Sequence, residues 1–532
     1  MSSTSKLDEK CVEKTEFDDI IIRYLGQFGT YQRIIFFLVC LPTIITAMDS
    51  LSWTFSGIKI PHRCRGSTEV STANYWKPDD PSSYSRENCT LVNSVSSCPY
   101  TSCKLGNLDT CPYGYVYNNE AIKLSAIQKW DIVCEFSVIR AVIQSTYYAG
   151  QMFGSLVFGF LGDRIGRKKV FFLAIVIQFF SGITMSLAPH WILYGIGRFF
   201  VGFAHPGIFV IAVVIGMELI GPKYRRLASI SPAISWAIGQ MILGVMASYI
   251  RDYQYLHAAI ALPALFFVGY WCIIPESARW LVAHKRFDEA DKILQKAARI
   301  NKATLPANWY KELEKTQEQK NEKLDERRYN FIDILRTPSI RKRSLPVFLC
   351  WPICSMMYYG LSMNTSFLGG DLYLTFIFGG VSEIPAVILT YFLLDIIGRK
   401  TVLAGSFFVA AFAMISNLIT GETNVIFGIT QSLIAKSAVA SAYATLYTFT
   451  PELFPTVIRN LAMGGCSMMA RFGAISASFI SMWLFDRFGS LVMVIPFSAL
   501  GLLAGMVVIL FLPETKGRKL AESIEDIENK HF

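Results

Sequence analysis

The sequence predicts an all-α polytopic membrane protein with twelve transmembrane helices in two six-helix repeats. Three observations predict it. Apolar stretches long enough to cross a bilayer recur along the 532 residues, at about twenty residues per crossing and ~1.5 Å of rise each. Hydrophobic residues make up 52% of the chain and charged ones 17%; mean hydropathy is +0.38, and the charges crowd into short blocks instead of spreading as on a soluble globule. Third, three signatures occur twice in the same order, roughly 235 residues apart: Asp163-Arg-Ile-Gly-Arg167 returns as Asp395-Ile-Ile-Gly-Arg399, Glu218 with Arg225 returns as Glu452 with Arg459, and Pro275-Glu-Ser returns as Pro513-Glu-Thr,. Two similar membrane halves facing one another are the plan of a secondary carrier.

The predicted spans are 34–57, 138–160, 170–188, 191–217, 230–250 and 256–274 in the first half, then 344–362, 372–394, 401–420, 425–449, 461–484 and 490–512 in the second. Several lie a few residues apart, which forces antiparallel neighbours. Arg164, Arg167, Lys168, Lys169, Lys223, Arg225, Arg226, Arg399, Lys400 and Arg459 all fall on one side of a twelve-helix count. The excess of basic residues makes that side cytoplasmic, together with both termini. The first span follows a polar stretch and shows no small-residue cleavage site, so it reads as a retained helix and not a signal peptide. The expected organisation is a cytoplasmic segment 1–33, a first half 34–274, a cytoplasmic linker 275–343, a second half 344–512 and a cytoplasmic tail 513–532.

Between the first two spans, an outer loop at 58–137 holds Cys64, Cys89, Cys98, Cys103, Cys111 and Cys134 and the acceptor sequon Asn88-Cys89-Thr90. Six cysteines in a loop that the charge rule places outside point to up to three disulfides, their pairing open, and a glycan at Asn88,. Such a loop is also a candidate for self-association. No compact ligand spacing points to a metal. Along the linker, basic and acidic residues alternate from Lys311 to Arg328, the pattern of a solvated face and not of a nucleic-acid patch.

Catalytic signatures are absent from the chain: no phosphate loop ending in Gly-Lys-Ser or Gly-Lys-Thr, no His-Glu-x-x-His, no Gly-x-Ser-x-Gly,. The sequence therefore predicts neither an enzyme nor an ATP-driven pump, and no cofactor. Energy would come from the membrane potential, an ion gradient or solute exchange.

Ionisable groups inside a bilayer are costly, and each is a candidate functional group. Asp49, Arg198, Glu383, Lys436 and Arg471 lie deep in predicted helices 1, 4, 8, 10 and 11, whereas helices 3, 6, 9 and 12 carry no such group in their cores. Arg471 and Glu383 stand near the midpoints of their helices and form the leading pair, one suited to a carboxylate and the other to an ammonium; a permanent buried ion pair is the structural alternative. Tyr147, Tyr148, Trp236, Trp351, Tyr358, Tyr359, Tyr443 and Tyr447 offer ring faces to a quaternary ammonium,. Gln144, Gln151 and Gln240 are candidates for cavity-facing amides, because an unsatisfied amide in lipid is costly. His205, beside Pro206, is expected to line the path at a break in helix 4 or to be a bonded core histidine, and Asp49 is a candidate proton or cation site. The repeated Asp163, Arg164, Arg167, Glu218, Arg225, Glu276 and Arg279, with Asp395, Arg399, Glu452, Arg459 and Glu514, read as charge pairs that join the halves on the inner side in one state and part in the other.

The string Gly159-Phe-Leu-Gly-Asp-Arg-Ile-Gly-Arg-Lys168 resembles the loop motif of the major facilitator superfamily, and Pro275-Glu-Ser-Ala-Arg-Trp-Leu281 narrows the resemblance to sugar porters and organic ion transporters. The six-cysteine loop, the string from Tyr358 to Thr365 and Pro451-Glu-Leu-Phe-Pro-Thr-Val-Ile-Arg-Asn460 are similar to the organic cation, anion and zwitterion transporter family. The resemblance implies the twelve-helix fold, with helices 3, 6, 9 and 12 facing lipid. It implies Arg471 at a position where anion and carnitine-type members carry Arg and simple-cation members Asp. Val387 stands where dicarboxylate-exchanging members tend to carry Lys. The implied activity is alternating-access transport of small organic ions, such as carnitine or an organic anion, across the plasma membrane. A sugar-porter-like carrier of neutral solutes, disfavoured by charges of both signs deep in the helices, and a non-transporting receptor or sensor, disfavoured by two intact motif copies, remain the alternatives.

Overall fold

The computed structural model describes residues 17–66, 68–69, 74–76, 103, 111–306, 309–310, 333–363, 371–420, 425–518, 521 and 524–529. Twelve membrane-length helices organise it: α1 (Thr30–Leu51, continuing through Trp53–Ser56), α2 (Val138–Ile165), α3 (Arg167–Leu187), α4 (Trp191–Leu219), α5 (Arg225–Tyr249) and α6 (Tyr253–Ala261, continuing to Ile273), then α7 (Pro338–Met363), α8 (Leu372–Ile396), α9 (Arg399–Thr420), α10 (Val425–Leu453), α11 (Thr456–Ser478, continuing to Phe488) and α12 (Leu491–Phe511). Eleven of these are long and apolar enough to cross a membrane by composition alone. The other is α2, whose 28 residues bury Gln144, Tyr147, Tyr148 and Gln151. A helix that turns polar groups inward loses mean hydropathy without losing its capacity to span.

The packing repeats with the sequence. Within the first half α1 packs on α5, α2 on α4 and α3 on α6; within the second half α7 packs on α11, α8 on α10 and α9 on α12. The halves meet along α2 with α11 and α5 with α8, which are equivalent pairs under the repeat. Small residues set the closest approach: the backbone of α4 lies where a Cβ on Gly150 or Gly154 of α2 would go. No larger residue fits there without moving the helices apart.

Several helices extend beyond their predicted ends. α1 begins at Thr30, α7 at Pro338 and α11 at Thr456. Their first two turns hold Arg33, Arg341, Lys342, Arg343 and Arg459, which end a hydrophobic window without ending a helix. Proline is well tolerated in a first turn. α4 runs unbroken through Pro206, so the expected break at His205 does not occur.

One end of the bundle carries the duplicated motifs and is called the motif side; the other carries the long loop and is called the loop side. In the loop, β1 (His62–Cys64) pairs antiparallel with β2 (Tyr115–Tyr117). Cys64 bonds Cys111, and Cys103 bonds Cys134; Asn88, Cys89 and Cys98 lie outside the described residues. On the motif side, the helical turns at Phe17–Leu25 and the linker helix Phe287–Asn301 pack against the first half. Asn301 ties them: its Oδ1 accepts from the Tyr31 N–H at 2.8 Å, and its Nδ2 donates to Leu25 O at 3.0 Å and Gln32 Oε1 at 2.8 Å. The run from Lys311 to Arg328 also lies outside the described residues.

Candidate functional site

Midway through the helices, Glu383 of α8 and Lys436 of α10 form an ion pair at 3.2 Å. Both are 3% exposed. A carboxylate so enclosed needs its lone pairs filled, and the Tyr358 hydroxyl of α7 donates to both of its oxygens at 3.1 and 3.0 Å. Lys436 donates onward to Gln240 Oε1 of α5 at 2.9 Å, and Gln240 Nε2 donates to Phe376 O of α8 at 2.8 Å. Four helices from both halves thus converge on one charge pair.

Arg471 of α11 is handled differently. It is 7% exposed, and among the described residues no carboxylate pairs with it. It faces Tyr443, Tyr359, Tyr447 and Tyr147, and its Nε has no partner. Gln151 of α2 is equally unusual: both amide atoms are buried and unpartnered, as is the indole N–H of Trp236. Buried polar groups are ordinarily bonded, so this convergence of donors and acceptors suits a polar solute.

Rings link these groups into one belt across the two halves. Trp236 lies 5.8 Å from His205, which accepts or donates a 2.8 Å hydrogen bond with Tyr147. Tyr147 meets Tyr148 at 5.4 Å, and Tyr148 crosses to Tyr359 of the second half at 4.9 Å. From there the belt passes through Tyr358 and Tyr443 to Tyr447, which packs at 4.9 Å on Trp351. Tyr447 remains 42% exposed, so the belt is open at its motif-side end.

Glu383, expected to attract an ammonium or pair with a fixed cation, is thus paired with Lys436 in the permanent ion pair that was its structural alternative, and Arg471 stands outside that pair. Asp49 also stands apart from this centre. Its carboxylate accepts from Gln178 of α3 at 2.6 Å, while Arg198 of α4 donates to the Asp49 carbonyl at 2.8 Å, to Ser52 Oγ at 3.0 Å and to Gln144 Oε1. Gln144 is thus committed to Arg198 and, through its NH2, to Tyr148.

The duplicated motifs form two matching networks. Gly166 and Gly398, with φ of +104° and +93°, turn the chain between α2 and α3 and between α8 and α9 in a conformation that favours glycine. A side chain at either would collide with the carboxylate of Glu276 or Glu514. Glu276 accepts from the Arg167 and Lys168 N–H groups at 2.8 and 3.1 Å, and Glu514 accepts from those of Arg399 and Lys400 at 2.9 and 3.0 Å. Each carboxylate caps the start of a helix, where free N–H groups and the helix dipole favour negative charge. Arg167 reaches Asp163 at 3.0 Å and Glu218 at 3.3 Å; Arg399 reaches Asp395 at 3.6 Å and Glu452 at 3.1 Å. Among the described residues, the ion pairs of Arg167 and of Arg399 each lie within their own half. Arg164 lies over the Phe160 ring, and Arg279 pairs with Asp18 at 2.5 Å. Nε and Nη2 of Arg459 have no partner, so Glu452 is held by Arg399 in its place. The Arg225 side chain lies outside the description.

Residues 87–526 match the family described as "Sugar (and other) transporter". The chain belongs to the sugar (and other) transporter family. Among its relatives, the "Organic cation transporter protein" of Drosophila melanogaster is 36% identical over 96% of this chain and 94% of its own. "Solute carrier family 22 member 4" of Mus musculus is 30% identical over 96% and 94%, and "Organic cation/carnitine transporter 2" of Homo sapiens is 28% identical over 96% and 93%. The inward open conformation of the xylose transporter XylE from E. coli superposes with a TM-score of 0.61 at 18% identity, covering 94% of this chain and 99% of that one. That likeness shows a shared fold.

Three residues of the transporter escaped sequence reasoning. Gln178 holds Asp49; its signal was a lone amide in the apolar run of helix 3. Asn301 fastens the linker helix to the N-terminal turns. Asp486, at the loop-side end of α11, pairs across the halves with Arg140 of α2 at 3.1 Å. Neither of the last two carries a pattern that distinguishes it from ordinary polar residues at helix ends.

Proposed function

We propose that this transporter carries a small organic ion bearing a carboxylate, a zwitterion such as carnitine or an organic anion, across the plasma membrane by alternating access. The observation that carries the reading is the contrast between two central charges. Glu383 is neutralised by Lys436, whereas Arg471 has no carboxylate among the described residues. The centre therefore offers a guanidinium without a carboxylate partner among the described residues, suited to bidentate binding of a carboxylate. The tyrosine and tryptophan belt offers faces for a quaternary ammonium at the other end of the same solute.

Both termini are cytoplasmic in this reading, because the motif side carries the basic loops and the loop side the disulfides. Among the described residues, contacts join the halves toward the loop side: Arg140 with Asp486 at 3.1 Å and Phe55 with Tyr373 at 5.6 Å. This supports an arrangement closed toward the outside. Asp49, held by a neutral amide, is the candidate coupling-ion site.

Thermal unfolding of the purified transporter tests the substrate assignment. A ligand that binds only the folded state raises the midpoint. Carnitine should do so and tetraethylammonium should not, and Arg471→Ala should abolish the carnitine shift. An equal shift with tetraethylammonium that survives Arg471→Ala contradicts the assignment.

A further inference from the structure

The C-terminal helix Ile524–Asn529 docks on the motif-side start of α7. Ile527 is buried there within the core, beside the partly buried Ile524. Glu528 makes the polar half of the contact: it accepts from the backbone N–H of Ser339 and from the Ser339 hydroxyl, both at 3.1 Å. Ser339 is the second residue of α7, so the tail supplies a carboxylate to a helix N-terminus, as Glu276 and Glu514 do elsewhere in the fold. Unlike those two, this carboxylate sits on a hydroxyl that can be modified.

The hydroxyl is only partly covered, and the residues around it are strongly basic: Arg336 three positions before, Arg341, Lys342 and Arg343 two to four positions after. Arg336, Arg341 and Lys342 are exposed. Such flanks complement the acidic peptide grooves of basophilic serine kinases.

We propose that Ser339 is a phosphorylation site whose phosphate releases the C-terminal helix from α7. In the transfer, Ser339 Oγ bonds to the γ-phosphorus of ATP held by the kinase as the bond to the β,γ-bridging oxygen breaks. The hydroxyl proton passes to the kinase's carboxylate base, and ADP leaves. The product carries about −1.5 to −2 charges and strong acceptor oxygens. Those oxygens take the α7 N-terminus that Glu528 now occupies, and their charge repels Glu528. With its polar anchor gone, the six-residue helix keeps, among its described residues, the apolar contacts of Ile524 and Ile527, too little to hold so short a segment. In cells the switch rests on the proposed cytoplasmic placing of the motif side; its mechanism does not.

The test uses the full-length transporter purified in detergent, where both faces are accessible. It is incubated with magnesium-ATP and the catalytic domain of a basophilic kinase that selects Arg at the third position before serine. Phosphate at Ser339 and amide exchange across 524–529 are then read by mass spectrometry. The expected result is phosphate on Ser339 with exchange about tenfold faster or more in that helix, a similar gain in Ser339→Glu and in Glu528→Gln without kinase, and no kinase effect on exchange in Ser339→Ala. Absence of phosphate at Ser339, or phosphate with unchanged exchange, overturns the proposal. Phosphorylation in detergent but not in intact cells counts instead against the orientation.

Discussion

The Lys436 ammonium lies 3.2 Å from the Glu383 carboxylate, and the same ammonium donates 2.9 Å away to Gln240 in the opposite half. A charge pair of the second half thereby holds part of the interface between the halves. Removing one member of a buried pair leaves the other charge uncompensated, at a cost of about 3–5 kcal/mol, while replacing both by apolar groups is far milder. Glu383→Leu and Lys436→Met should each lower the unfolding midpoint markedly, and the double variant should recover most of the loss. Additive single losses in a double-mutant cycle would show that the two side chains act independently.

Glu276 and Glu514 cap α3 and α9 through equivalent pairs of backbone N–H groups. Loss of a cap costs about 0.5–2 kcal/mol, so Glu276→Ala and Glu514→Ala should destabilise by similar amounts. Each should also free its arginine loop and lower maximal uptake more than it changes half-saturation. Purified-protein melting and initial-rate uptake give the two readouts. Loss confined to one half would contradict their equivalence.

Arg140 and Asp486 join α2 to α11 near the loop side, partly exposed. Such a pair contributes roughly 0.2–1 kcal/mol, enough to move a balanced conformational equilibrium a few-fold. Asp486→Arg should increase labelling of a cysteine introduced at Gly244, which faces Ile377 across the α5 and α8 contact. Arg140→Asp added to it should restore protection.

His62 is buried in the loop, and burial pushes its pKa below the ordinary 6.5, with nearby Lys59 acting in the same direction. The folded loop therefore binds fewer protons than the unfolded one just below pH 6.5, so stability is full above that pH and falls as pH drops toward the lowered value. Amide protection at Tyr115–Tyr117, which pair with the His62 strand, should be weaker at pH 5.5 than at pH 7.5 once exchange rates are divided by the intrinsic rate at each pH. His62→Phe should flatten that dependence.

The architecture was legible because length, hydropathy and duplication all report on the bilayer. Even α2, too polar to pass on mean hydropathy, holds an apolar stretch that ends at the first copy of the loop motif. The charges inside the helices were legible as a set, since each is costly in lipid. Their partners were not. Whether Glu383 meets Lys436 or Arg471 depends on the rotation of three helices about their axes, set by packing such as the close approach of Gly473 to the α7 backbone. The role of Glu276 and Glu514 was hidden for a similar reason: a cap supplied from more than one hundred residues away leaves no local spacing to read. A break beside His205 was one reading because proline usually interrupts a helix; α4 continues through Pro206, and His205 is a buried histidine hydrogen-bonded to the Tyr147 hydroxyl.

Uptake into cells expressing the transporter tests the central claim most directly, with labelled carnitine, an organic anion and tetraethylammonium each compared between wild type and Arg471→Ala. Arg471 as the carboxylate site predicts that carnitine or the anion enters and that Arg471→Ala removes at least about 90% of that uptake at normal surface expression, a loss of roughly 1.4 kcal/mol or more. Entry of tetraethylammonium alone, undiminished by Arg471→Ala, would contradict it and leave Arg471 a structural neighbour of its tyrosines.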